Sequence, residues 1–128
     1  MLPATILLTV AAVGQLVGYW FAVPEHIADR TWPLHARFHM VQAFFWITGL
    51  GLALLVLIWW PLQQRAAWSL WALLALFVFA QLSYFLAILI QPKGRPHSRG
   101  NWYEWVYGLD ALLYAIGLVL AARAIGVL

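Results

Sequence analysis

The chain alternates between long apolar stretches and short polar ones, and this pattern predicts four membrane-spanning helices. The first stretch, Leu2 to Val23, carries no charge. At about twenty residues it can cross a hydrocarbon layer roughly 30 Å thick. Pro24 is expected to end this helix, and a polar loop follows it. The four predicted helices cover about residues 2–23, 33–60, 66–90 and 102–122.

Short connections between the four spans predict an antiparallel bundle. Pro33 suits the first turn of the second helix, because the N–H that proline lacks would have no helical partner there. Thr31 or Trp32 would then flank that helix start as its cap. The expected fold class is therefore an all-α membrane protein with a single domain spanning residues 1–128.

The composition strengthens the membrane assignment. Of the 128 residues, 66% are hydrophobic and 9% are charged, whereas about half of an ordinary soluble domain is apolar. We expect an integral protein of the bacterial inner membrane, with membrane lipid as one of its partners. The formal net charge of +3 comes from few charges and includes no long basic run, so we expect no nucleic-acid partner. Because cysteine is absent, disulfides, zinc–thiolate sites and thiol nucleophiles are excluded.

Acidic residues and histidines are distributed unequally between the two ends of the predicted bundle. All of them fall in the first loop, the third loop or the helix starts that follow these loops. A purely solubilising role would place such groups at both ends, so the asymmetry predicts one functional end. The residues are Glu25, Asp29, Glu104, Asp110, His26, His35, His39 and His97.

Three of the predicted spans carry polar or aromatic residues at spacings of three and four in the half nearest that end. Such spacing places them on one face of a helix, and we expect the three faces to converge in the bundle centre. The residues are His35, His39, Gln42 and Trp46 on the second span, Gln81, Tyr84, Ile88 and Gln91 on the third, and Tyr103, Tyr107, Asp110 and Tyr114 on the fourth.

Asp110 lies about nine residues into the fourth span, or roughly 13 Å from its start at 1.5 Å per residue. An ionised carboxylate at that depth costs a few kcal/mol and usually faces a cavity or a partner. Arg37 or a histidine is the expected partner of a charged Asp110. The alternative is a protonated or tyrosine-bonded Asp110 that joins two helices. Glu104 lies nearer the membrane boundary, where a solvated carboxylate is the simpler interpretation.

The pair His35 and His39 has the spacing of four that directs two imidazoles to one side of a helix, as in helical metal sites. A metal centre would need a third ligand, for which Glu25, Asp29 and Asp110 are candidates, as are His26 and Glu104. The sequence requires no cofactor, and a metal at this pair is one alternative. Acid–base chemistry between a histidine and a carboxylate in a pocket with aromatic walls is the other.

The block from Trp32 to His39 reads W-P-L-H-A-R-F-H. It resembles the signature W-P-x-H-A-[RK]-F-H that follows the first span in a group of small bacterial four-helix membrane proteins without an established activity. More distantly, the architecture resembles the emopamil-binding protein family, whose sterol isomerases use a His-x-x-x-Glu pair on the second span. That resemblance implies a site at His35-x-x-x-His39, where His39 occupies the position of the family's glutamate.

Three functional hypotheses follow. The leading one is an intramembrane pocket for a lipophilic small molecule, with isomerase-like or hydratase-like proton transfer by His35, His39 and Asp110. The second is a non-enzymatic accessory subunit of a larger membrane complex, which ligates a pigment or metal through His35 or His39. The third is a homo-oligomeric transporter or channel with a shared polar axis. The expected ligand-binding residues are Glu25, Asp29, Trp32, Arg37, Gln42, Trp46, Gln81, Tyr84, Glu104 and Tyr107.

Overall fold

A computed structural model describes residues 1–90 and 102–128, apart from the side chains of Glu25, Ile88, Trp102 and Tyr103. Within these ranges the chain forms four long helices, and the predicted second polar loop, with His97, lies outside the described residues. The helices are α1 (Leu2–Ala28), α2 (Leu34–Trp59), α3 (Ala67–Ile90) and α4 (Trp102–Ile125). Each helix contains a segment long and apolar enough to cross a membrane. The predicted all-α membrane fold is confirmed.

Two predicted features of the first connection are wrong. Pro24 does not end α1, which continues through it to Ala28. Proline removes one backbone hydrogen bond from a helix, and membrane helices tolerate that loss more readily than soluble ones. Pro33 precedes α2 as its N-cap residue, and no side chain caps this helix end. The Arg37 backbone N–H donates to the Pro33 carbonyl at 3.1 Å, which begins the helical hydrogen bonding.

The last helix is slightly longer than predicted, because it continues past Ala122 to Ile125. Gly126 follows with a φ of +80°, a left-handed conformation that glycine adopts at low cost. The Val127 N–H then donates to the Ala122 carbonyl at 2.9 Å. This 6→1 hydrogen bond is the Schellman motif that ends many helices.

Side-chain contacts show that neighbouring helices run antiparallel. Near the start of α1, the Trp59 indole N–H donates to Thr9 Oγ1 at 3.0 Å, while further along α1 the Trp20 indole N–H donates to Thr48 Oγ1 at 3.2 Å. The helix α1 packs mainly against α2 and α4, and α3 packs against α4 and α2. The four helices therefore form a closed square with α1 and α3 at opposite corners.

The tightest packing lies at the end of the bundle where α1 and α3 begin and where α2 and α4 end. Short and branched apolar side chains fill this end, and Tyr114 is the largest fully buried one. The opposite end, which carries the acidic residues and histidines, is more open. The buried cluster comprises Ala4, Leu8, Ala11, Ala12, Leu54, Ile58, Leu62, Leu70, Leu73, Tyr114, Leu118, Ala121 and Ala122.

Gly117 allows α4 to approach α1 closely within this cluster. A Cβ added at Gly117 would lie 2.8 Å from Leu8 Cγ and 3.4 Å from the Leu8 backbone nitrogen. Leu8 is completely buried, so its side chain has no free volume into which to move. The close packing of α1 on α4 therefore depends on a glycine at this position.

We expect Gly117→Ala to lower the free energy of unfolding by about 1–3 kcal/mol, because overpacking exceeds the gain in helix propensity. Gly108→Ala in the same helix is the matched control, since no described atom lies within 4 Å of its added Cβ. That control should be neutral or stabilising by up to about 1 kcal/mol. Reversible unfolding in mixed micelles measures both variants, and equal effects would contradict the close α1–α4 approach.

Candidate functional site

A ladder of three side-chain pairs connects α3 to α4. Phe77 stacks on Tyr114 with ring centroids 4.7 Å apart, and Tyr84 stacks on Tyr107 at 3.9 Å. Between these aromatic pairs, Gln81 Nε2 donates a hydrogen bond of 2.8 Å to Asp110 Oδ2. The three α3 residues are four and then three positions apart, and their partners on α4 are three and then four positions apart in chain order. The two series align because the helices run in opposite directions. Gln81 and Tyr84 of the predicted α3 stripe therefore meet Asp110 and Tyr107 of the α4 stripe. Gln91 and the side chains of Ile88 and Tyr103 lie outside the described part of the chain.

The central pair of the ladder is buried and only partly satisfied. Gln81 and Asp110 are 6% and 9% exposed, and Tyr114 is 1% exposed. Gln81 Oε1 and the Tyr114 hydroxyl are both buried without a hydrogen-bond partner among the described residues. Tyr114 lies one helical turn after Asp110 on α4, so the two side chains share one face of that helix. We call Gln81, Asp110 and Tyr114 the polar cluster.

A buried polar atom without a partner costs roughly 1–3 kcal/mol, and hydrocarbon surroundings offer no water as a substitute. The polar cluster contains one such acceptor, Gln81 Oε1, and one hydroxyl that can donate or accept. The Asp110 carboxyl can accept further hydrogen bonds beside the one from Gln81. Taken together, these groups would be satisfied best by a bound group that donates hydrogen bonds.

Asp110 has a different partner from the one expected. Gln81, and not Arg37 or a histidine, binds its carboxyl group. The interpretation of Asp110 as a residue that joins two helices therefore fits the observed contact. A purely structural role for Asp110 does not explain why Gln81 Oε1 and the Tyr114 hydroxyl are buried without a partner among the described residues.

A hydrogen bond extends the ladder to α1. The Tyr107 hydroxyl donates to the Tyr19 hydroxyl at 3.1 Å. Tyr19 in turn lines a cavity of about 110 Å³ between α1, α2 and α3. Gln15 and Ser83 also line this cavity, and the remaining lining residues are Ala12, Leu16, Ile47, Leu50, Gly51 and Ala80. Pockets for drug-sized ligands are several times larger, so this cavity fits a small group.

The polar stripe of α2 does not join the other two. His35, His39 and Gln42 are exposed, and Trp46 is 74% exposed. His39 bonds instead within its own helix, to His35 through the two Nε2 atoms at 3.0 Å and to Gln42 Oε1 through Nδ1 at 3.3 Å. The structure therefore does not bring His35 and His39 together with Asp110.

The residues of the first connection form local contacts. Asp29 Oδ1 accepts hydrogen bonds from the Thr31 hydroxyl at 2.7 Å and from the Thr31 backbone N–H at 2.8 Å. These two bonds hold the pKa of Asp29 below its usual 3.8, with smaller contributions from His26 and Arg37. His26 stacks on Trp32 at 5.3 Å.

Other predicted site residues remain outside the ladder. Arg37 is half-buried, and its Nε is buried without a partner among the residues that the structure describes. Glu104 is exposed in the first turn of α4. The side chain of Glu25 lies outside the described part of the chain, as does that of Tyr103.

Sequence reasoning missed Phe77, Tyr19 and Ser83 as neighbours of the site. Phe77 lies four residues before Gln81, so extending the α3 stripe by one turn would have found it. Tyr19 and Ser83 carry no comparable signal, because their contacts with the cavity depend on how α1 and α3 pack.

Comparison of the chain with protein-family models, curated proteins and solved structures finds no match. In residues 1–90 and 102–128, no three His, Cys, Asp or Glu side chains come together as a metal site. The described side chains therefore supply no third ligand beside His35 and His39, while the side chain of the candidate Glu25 lies outside them.

The Gln81–Asp110 hydrogen bond should be measurable as a coupling between α3 and α4. We expect Asp110→Leu and Gln81→Leu each to lower the unfolding free energy by about 1–2 kcal/mol. The double variant should lose less than the sum, with a coupling of about 0.5–1.5 kcal/mol. Asp110→Asn retains an acceptor for Gln81 Nε2 and should stay close to wild type. Additive losses would contradict the bond.

The Asp29–Thr31 contact predicts a specific titration behaviour. Because the folded pKa of Asp29 lies below 3.8, its contribution to stability is complete above that pH and is lost as pH falls through the folded pKa. Thr31→Val removes the hydroxyl bond and keeps the backbone bond, so the pKa should rise towards 3.8. A carboxyl ¹³C NMR titration measures this pKa. Thr48→Val, in the middle of α2, should leave it unchanged.

Proposed function

We propose that the protein binds a lipophilic small molecule within the membrane through a hydrogen-bond-donating group held at the polar cluster. The observation that carries this proposal is the coexistence of a buried carboxyl, Asp110, with the partnerless Gln81 Oε1 and Tyr114 hydroxyl. A protonated amine or an alcohol would donate to these groups and remove the cost of leaving them unpaired. The apolar part of such a ligand would lie among the aromatic and aliphatic side chains of the spans.

The aromatic pairs support a binding role for this position. Phe77 and Tyr114 lie on one side of the Gln81–Asp110 bond, and Tyr84 and Tyr107 lie on the other. Stacked rings exclude lipid and water from the polar pair, and in such surroundings a charge-assisted hydrogen bond is stronger than in water. If the ligand is a cation, the ring faces would also favour it.

Proton-transfer chemistry by His35, His39 and Asp110 acting together stays a prediction. The placement of both histidines on the exposed face of α2 does not support it, since a general acid or base must lie within hydrogen-bond reach of the reacting group. Binding without catalysis requires only the polar cluster, and it is therefore the function that the described side chains favour.

The alternative of an accessory subunit has no separate observation in its favour. Many large apolar side chains are exposed, including Trp105 at 79% and Phe79 at 78%, but contact with lipid accounts for them equally well. A homo-oligomeric channel would require the polar stripes to face an axis between chains. Gln81 and Asp110 instead face each other within one chain, which favours a site inside a single bundle.

A matched set of probes tests the proposal. Dodecylamine, dodecanol and dodecane share one chain length and differ in their hydrogen-bond donors. Native mass spectrometry of the gently solubilised protein should show binding in the order amine, alcohol, alkane. Asp110→Leu should weaken amine binding by about tenfold or more, because a hydrogen bond to a charged group contributes roughly 1.5–3 kcal/mol.

Leu112→Ala is the control for this experiment, since Leu112 is on α4 and 55% exposed to lipid. Its amine affinity should match that of wild type. Equal binding of the three probes, or equal affinity in wild type and Asp110→Leu, would show that the polar cluster does not bind the donor group.

A further inference from the structure

The histidine pair on α2 forms a second arrangement of polar groups, separate from the polar cluster. His35 and His39 lie in the first two turns of α2, and both are exposed. Their rings are nearly perpendicular at 87°, with centroids 4.4 Å apart. The two Nε2 atoms are 3.0 Å from each other. Both ring nitrogens that could serve as ligands therefore point to the same place.

The remaining nitrogen of His39 is already held by a neighbouring side chain. Nδ1 lies 3.3 Å from Gln42 Oε1, so the Nδ1–H tautomer of His39 can donate to this amide oxygen. In that tautomer His39 Nε2 carries a lone pair that can accept a hydrogen bond or bind a metal ion. A metal-binding histidine typically donates its other N–H to an oxygen in this manner, which fixes the ring and its tautomer.

The spacing of the two nitrogens suits a single metal ion. With metal–nitrogen distances of about 2.0–2.1 Å, a nitrogen separation of 3.0 Å gives a chelation angle of about 94°. Imidazole nitrogen is a preferred ligand of Cu²⁺ and Ni²⁺, and Cu²⁺ is bound most tightly in the divalent series.

We propose that His35 and His39 chelate one divalent transition-metal ion through their Nε2 atoms, with Cu²⁺ preferred, and that Gln42 positions His39 for this role. In the metal-free pair, His35 Nε2–H donates to His39 Nε2. When the metal binds, that hydrogen leaves Nε2 and His35 carries its proton on Nδ1, so both Nε2 lone pairs reach the ion. The change is a tautomerisation, and no electron is transferred.

The position of the pair makes such a site accessible. The 26 residues of α2 span roughly 39 Å at 1.5 Å per residue, which exceeds the roughly 30 Å hydrocarbon layer. Trp59 and Trp60 at the other end are typical boundary residues, and with these two at one boundary an upright α2 would extend its first turns, where the histidines lie, beyond the hydrocarbon. Water or another small ligand would complete the coordination, since no third ligand comes from the side chains that the structure describes.

Isothermal titration of the full chain in detergent micelles with Cu²⁺, and separately with Zn²⁺, tests the site. Wild type should bind one Cu²⁺ more tightly than Zn²⁺. His35→Ala and His39→Ala should each weaken Cu²⁺ by at least about tenfold, because the chelate effect is lost. Gln42→Ala should weaken it by about 10–100-fold, as is typical for residues that orient a metal ligand.

A relocated histidine provides the matched control. His39→Ala combined with Val41→His retains the number of imidazoles but places the second one six residues from His35, on a different face of α2. This variant should bind as weakly as His39→Ala, whereas His26→Ala should bind like wild type. Electron paramagnetic resonance of the Cu²⁺ complex should show coupling to two imidazole nitrogens in wild type and to one in either single variant.

The proposal is overturned if wild type and His39→Ala bind Cu²⁺ equally, or if the relocated variant recovers wild-type affinity. Because the histidines are exposed, their loss should leave helicity and unfolding unchanged, and circular dichroism checks this. The result is independent of the proposed ligand site, since none of these substitutions touches Gln81, Asp110 or Tyr114.

Discussion

The hydrogen bond between Gln81 and Asp110 is the interaction on which the arrangement of α3 and α4 depends most directly. A carboxyl group inside a membrane span must find a partner within the protein, because lipid offers none. Gln81 provides that partner at 2.8 Å, and this fixes both the register and the rotation of the two helices. The aromatic pairs on either side, Phe77 with Tyr114 and Tyr84 with Tyr107, then follow from the same register.

The two ends of the bundle differ in how they are stabilised. At the end that contains the termini, small residues bring the helices together, and Leu8 packs directly over Gly117. At the other end, aromatic pairs such as Tyr84 with Tyr107 and hydrogen bonds such as that between Tyr107 and Tyr19 connect the helices. The 110 Å³ cavity lies on the open side of this division, next to Tyr19.

The sequence predicts the helices well and their rotation poorly. Four predominantly apolar stretches of about twenty residues or more determine the four spans, because length and hydropathy largely decide whether a segment can cross a membrane. The predicted end of the first helix at Pro24 is wrong, since a proline removes one hydrogen bond without ending a membrane helix. Gln81 and Tyr84 of the predicted α3 stripe do meet Asp110 and Tyr107 of the α4 stripe, because Asp110 must face the protein interior. The α2 stripe does not join them, because His35, His39 and Gln42 form hydrogen bonds with one another.

The different outcomes for the α2 stripe and for the α3 and α4 stripes have a general physical basis. Residues spaced by four and three share a helix face whether the face is buried or exposed, so spacing alone cannot distinguish an interhelical contact from an intrahelical one. His35, His39 and Gln42 can complete their hydrogen bonds within α2. A side chain whose hydrogen bonds are formed within its own helix needs no partner from a neighbouring helix. Asp110 and Gln81 have no such local partner, and each requires the other helix. In a membrane, the polar residues that determine packing are those whose hydrogen bonds a single helix cannot complete.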